Sequence, residues 1–202
     1  VYARWKEAGA HRYLLRIESS TPALYYKIHP QDRHHSFEAR MGCIESLKRL
    51  GYQTGTGVMV GLPFQKVEHL ADDLLFFRDM EVAMVGMGPF IPHPQTPLWQ
   101  YREQIPSADE RLRMTLKMIA VLRLMMPKIN MVAATAMQTI DPRGRERAIQ
   151  AGANVVMPNL SPREQRAAYD IYPDKACVGD TPEQCAHFPH LLLQGRQGSS
   201  VY

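Results

Sequence analysis

The sequence predicts an α/β fold built on a parallel sheet, and three observations carry that prediction. Short apolar runs alternate with helix-periodic stretches along 202 residues. The apolar runs show no polar alternation, as expected of strands covered on both faces. Helix start and stop signals fall between those runs and not inside them.

In chain order, residues 2–9 form the end of a helix, and strands are predicted at 12–17, 53–60, 82–86, 130–134 and 154–157. Phe37, Met41, Ile44, Leu47 and Leu50 repeat at helical spacing, and Gly51 supplies the stop. Val67, Leu70, Ala71, Leu74 and Leu75 mark a second helix. Ser107 and Glu110 form a capping box ahead of Leu112, Leu116, Ile119 and Met126, and Pro127 ends that helix. Residues 142–151, closed by Gly152, make a fourth. Ser161, Pro162 and Glu164 form a second capping box with proline at the first helical position. Five parallel strands cannot close a barrel, which normally has eight. The tail from Tyr172 has no clear periodicity, and residues 194–202 read as disordered. The domain reading is therefore a barrel portion over 1–171 and a carboxy-terminal extension over 172–202.

Composition excludes several classes. Hydrophobic residues make up 45%, which suits a packed chain. No apolar run approaches the ~18 residues of a membrane span, so no membrane partner is expected. The net charge of +4 is spread along the chain without a basic stripe carrying interleaved aromatics, so no nucleic-acid partner is expected. Three cysteines in 202 residues do not make a disulfide framework, and a reducing, cytoplasmic setting fits better.

Residues 86–97, GMGPFIPHPQTP, hold four prolines and cannot be helical. Phe90 and Ile91 are too apolar for a disordered linker. The stretch reads as a rigid loop at the carboxyl end of a strand, either a structural lid or an active-site loop. Within it, His93 either orients a ligand or bonds the backbone, and the second is favoured. Arg16 and Glu18 close an apolar strand on one face. Such charges are either a structural ion pair or bound to a ligand. His29, His34 and His35 lie in a polar loop and read as solvated. The string GTGVMVG, residues 55–61, lacks the strand-turn-helix setting of a dinucleotide fingerprint; its glycines mark a close approach by backbone or ligand.

The strings YLLRIES, SFEARMGCIESLKRLGYQTGTGVMVGLP, DDLLFFRDMEVAMVGMGPFIPHPQTPL, LKMIAVLRLMMPKINMVAATAM and AGANVVMPNLSP occur in one order. Together they resemble the HydE-type radical S-adenosylmethionine (SAM) maturases of FeFe-hydrogenase, relatives of biotin synthase and methylornithine synthase. The resemblance covers 1–185 and implies strands four to eight of a radical SAM (βα)8 TIM-type barrel, plus an irregular carboxy-terminal tail. It implies a 4Fe-4S cluster on C-x3-C-x2-C and SAM cleavage to a 5′-deoxyadenosyl radical acting on a small iron-containing precursor. The cysteines here are Cys43, Cys177 and Cys185, none at that spacing. The expectation is a fragment whose cluster ligands lie upstream and which is inactive alone. Other hydrogenase maturases and an electron donor are the implied partners. The rival readings are a biotin synthase-like or methylornithine synthase-like enzyme, and a non-enzymatic barrel remnant that binds a metabolite or iron complex.

By the same resemblance, Glu18 accepts from the SAM ammonium and Arg40 clamps its carboxylate. Met157 and Pro158 cradle the adenine. Arg16, Met84, Thr135 and Tyr172 line the substrate pocket. Residues 28–35, IHPQDRHH, look about three residues longer than the family's stretch, with Arg40 still in register. Ala134 stands where the family usually has a first threonine before Thr135. Cys177 and Cys185 keep the first spacing of an accessory-cluster motif, but Phe188 takes its third position, so both read as vestigial.

Overall fold

The computed structural model describes residues 1–157 and 162–166. Its elements, in order, are α1 (Tyr2–Glu7), β1 (Arg12–Leu14), α2 (Pro22–Ile28), α3 (Phe37–Arg49), β2 (Gln53–Val60), α4 (Val67–Asp79) and β3 (Met84–Pro89). A 3₁₀ helix (Pro97–Gln104), α5 (Ala108–Met125), β4 (Asn130–Ala133), α6 (Thr135–Ile140), α7 (Gly144–Ala151) and α8 (Arg163–Arg166) follow. The four strands form one parallel sheet in sequential order, β1-β2-β3-β4. An isolated bridge between Val132 and Val155 extends it. The boundary at 171/172 lies outside the described residues.

Alternation decides which residues make the core. Val58 and Val60 of β2, Val85 and Met87 of β3, and Met131 of β4 point to the helices and are fully or almost fully buried. Ile44 and Leu47 of α3, Phe77 of α4, and Ile119 and Leu122 of α5 meet them. Each such side chain contributes roughly 1.5–3 kcal/mol by leaving water, so the helix-facing side of the sheet dominates stability. The opposite face of β2 and β3 carries Gly55, Gly57, Met84, Gly86 and Gly88. That face is the concave one in a βα barrel.

The predicted boundaries at β2, α3 and α5 agree with the structure to within two residues. Four expectations change. The first strand stops at Leu14, because Ile17 and Glu18 both donate their N–H to the Gly57 carbonyl, a bulge that ends regular pairing. The third strand begins later and runs to Pro89, so the loop starts at Phe90 and not at Gly86. Proline is tolerated there as the last residue of the strand. The fifth strand shrinks to the Val155 bridge, since the Asn154 side chain takes the Met131 N–H that a ladder would use. The fourth strand stops at Ala133, and Thr135 opens α6, which the sequence reading missed along with α2.

Candidate functional site

The carboxyl ends of the parallel strands converge on Arg16. Its Nε donates to Glu18 Oε1 at 2.7 Å, and its Nη2 donates to Glu18 Oε2 at 2.9 Å. The same guanidinium reaches across the sheet: Nη2 donates to the Val58 carbonyl and Nη1 to the Gly86 carbonyl, each at 2.8 Å. One side chain thus ties the segment just after β1 to β2 and β3. Glycine makes this possible. A Cβ at Gly57 or at Gly86 would stand only 3.0 or 3.1 Å from Nη1.

Glu18 sits in the left-handed region, φ 65°. A non-glycine residue there is strained and needs outside support. Support comes from both sides. Its N–H donates to Gly57 O, and its carbonyl accepts from Met59 N. Two residues on, the Ser20 N–H and hydroxyl donate to Oδ1 of Asp73 at 2.7 and 2.6 Å. Asp73 is fully buried on α4, and burial pushes its pKa up to about 6. Sequence reasoning missed this residue, although a signal existed: Asp73 falls inside the apolar stripe Leu70, Leu74, Phe77 of α4.

Arg40 lies in the first turn of α3, which Ser36 caps through the Ala39 N–H. Its Nη1 donates to the Arg16 carbonyl at 3.2 Å, leaving the rest of a half-buried guanidinium beside the Arg16–Glu18 pair. Arg16, Glu18 and Arg40 are therefore brought together. Met84 is not with them. It opens β3 and lines, with Leu14, Gln53, Gly55 and Asn130, a cavity of about 110 Å³ at the amino ends of the strands. Thr135 is half-buried at the start of α6, and Met157 is 47% exposed just past Val155. Pro158, Tyr172, Cys177 and Cys185 lie outside the described residues.

The histidines have local duties. His29 stacks on Tyr25 at 3.8 Å, and burial pushes its pKa down. His35 pairs with Asp32. His93 accepts the Gln95 N–H on its ring, and its own carbonyl holds Thr96. Phe64, at φ 66°, packs edge-on against Tyr101 of the 3₁₀ helix at 4.7 Å. This contact joins the loop after β2 to the segment after the proline-rich loop.

No family model matches the chain. It is 49% identical over 187 residues to the FeFe-hydrogenase maturase subunit HydE of Thermotoga maritima, covering 91% of this chain and 50% of that protein. This chain is a homologue of HydE. The 3-methylornithine synthase of Methanosarcina acetivorans is 30% identical over 168 residues, covering 82% of this chain and 45% of that one. The biotin synthase of a Synechocystis species is 29% identical over 153 residues, covering 75% and 39%. The chain thus spans about half the length of HydE and less of the other two. The crystal structure of HydG, a maturase of the FeFe-hydrogenase, superposes with a TM-score of 0.73 at 17% identity, over 99% of this chain and 42% of that one. That likeness shows the fold: the parallel α/β sheet and its helices match part of the HydG chain.

The fit of the implied cofactors differs between the two. A 4Fe-4S cluster takes cysteine thiolates. Among the described residues Cys43 stands alone, and no group of three His, Cys, Asp or Glu side chains could hold a metal. The described residues therefore do not fit the cluster. They fit SAM better. A carboxylate has about four lone-pair sites, and Arg16 fills two at Glu18. Arg40 keeps N–H groups for an anion. Among the described residues no helix is long and apolar enough to cross a membrane.

Proposed function

We propose that this chain is the SAM- and substrate-holding part of a radical SAM maturase of FeFe-hydrogenase, working in the cytoplasm. One observation carries the reading: Glu18, Arg16 and Arg40 meet at the carboxyl ends of the strands in a HydE homologue. The two free lone-pair sites of Glu18 would accept from the SAM ammonium, and Arg40 would take its carboxylate. Met157, exposed beside the end of the sheet, would lie against the adenine together with Pro158. Arg16, Thr135 and Tyr172 would line the cavity for a small or iron-containing substrate, Arg16 while pinning the strands; Met84, at the amino ends of the strands, stands apart from it. SAM bound with a reduced cluster supplies radical chemistry; this chain's residues orient the ligand and keep water away from it. The cluster ligands, other hydrogenase maturases and an electron donor would come from outside the described residues. The higher identity to HydE than to biotin synthase or 3-methylornithine synthase favours the maturase over those activities.

Calorimetric titration of SAM into the 202-residue chain tests the assignment. Saturable binding that weakens in Glu18→Gln supports it. Absence of binding, or binding indifferent to Glu18, refutes it.

A further inference from the structure

Among the described residues, Arg111 is a buried cation whose side chain has no partner. It lies in the first turn of α5, only 7% exposed, with its Nε and Nη1 sealed from solvent and bonded to nothing. Burial alone pushes its pKa down; no neighbouring charge contributes. The contrast with two partly buried arginines is direct. Arg123 is also desolvated, but it donates to the Gly152 carbonyl, the Pro127 carbonyl and Asn154 Oδ1. Arg16 spends its N–H groups on Glu18 and two carbonyls. Leaving a buried charge unmatched is among the costliest things a fold can do.

The surroundings are shaped around this side chain. Gly61, immediately after β2, has φ +83°, and a Cβ there would stand 2.7 Å from Cδ and 3.2 Å from Cβ of Arg111. Its missing side chain is what admits the arginine stem. Gln65 holds the turn by accepting from the Gly61 and Leu62 N–H groups and donating to the Met59 carbonyl. The position is at the same end of the sheet as Arg16 and Glu18, behind the loop that follows β2.

We propose that Arg111 is the binding group of a separate anion subsite between the turn at Gly61 and the first turn of α5, and that it takes an oxyanion: a phosphate or a carboxylate group. The Nε and Nη1 donors are the ones this anion would satisfy. The proposal does not depend on the assigned function.

The test is calorimetric titration of inorganic phosphate, and in a second arm acetate, into the full chain at constant ionic strength. Saturable binding is expected, with the tighter arm identifying the preferred oxyanion. Arg111→Met keeps the stem against Gly61 and should weaken binding by about tenfold or more. Arg111→Lys, which keeps charge but loses the fork, should fall between. Arg111→Met should also fold and be at least as stable as the parent in anion-free buffer, because it removes an unmatched charge. No saturable binding in the parent, or equal binding in Arg111→Met, overturns the proposal. So does a Met variant that is destabilised or fails to fold, since the guanidinium then has a structural partner.

Discussion

Gly86→Ala isolates the role of glycine beneath Arg16. The added methyl meets one atom within 4 Å, Arg16 Nη1 at 3.1 Å. Gly86 has no left-handed backbone, so alanine brings no strain of its own. The methyl should push Nη1 off the Gly86 carbonyl, now 2.8 Å away. A hydrogen bond from a charged group is worth roughly 1.5–3 kcal/mol. Replacing glycine in a compatible conformation returns about 0.4–1 kcal/mol through the unfolded chain. The net expectation is a loss of about 1–2 kcal/mol. In an Arg16→Met background the obstructing atom is gone, and the same substitution should be neutral or stabilising. Urea unfolding of the four proteins completes the cycle. An equal loss in both backgrounds would falsify the claim that Arg16 is why this position is glycine.

Three further outcomes are expected. Asp73→Asn keeps an oxygen for the Ser20 donors but removes the titration. The folded-state pKa of Asp73 is raised to about 6 from 3.8, so folding favours the proton. Its contribution is fully present below pH 3.8 and is lost as pH rises through about 6, a difference of roughly 3 kcal/mol. The gap in stability between parent and variant, followed from pH 4 to 8, should open over that window in favour of asparagine, and a flat gap contradicts the burial argument. Arg40→Ala should weaken SAM binding about ten- to a hundredfold; an unchanged dissociation constant in a folded variant makes Arg40 structural. The 202-residue chain, reconstituted anaerobically with iron and sulfide, should form no 5′-deoxyadenosine above a cluster-free control, because its three cysteines lack the triad spacing.

Much of this was legible in the residues. Largely apolar runs located β2 and β4, and the Ser107 box located the start of α5, because those signals are local. Arg16 and Glu18 were visible as a charged pair on one face of a strand. Their geometry was not, because the bulge that turns Glu18 onto Arg16 is imposed by the Gly57 carbonyl, and Gly57 lies 39 residues away in sequence. Residues 86–89 looked like the start of a loop but finish β3, whose pairing continues to Val60↔Pro89. Asp73 and Arg111 were hidden for a shared reason. Each is polar at a buried helix position, and only the packed neighbours show whether such a residue is matched.

The anchoring of Glu18 bears on how this region can change. Glu18 is moored to β2 and, through Ser20, to α4; Arg40 is moored by α3 and its Ser36 cap. Residues 29–35 between α2 and α3 run as slack line between two fixed points, held locally by Asp32 and His35. Slack can be let out without moving either mooring, since lengthening a loop costs little beyond its closure entropy. A stretch about three residues longer than the family's, as the sequence reading expects at 28–35, would on this ground leave Arg40 and Glu18 where they are. Length in this segment should drift freely between relatives, whereas a single-residue insertion between Glu18 and Ser20 would displace the site.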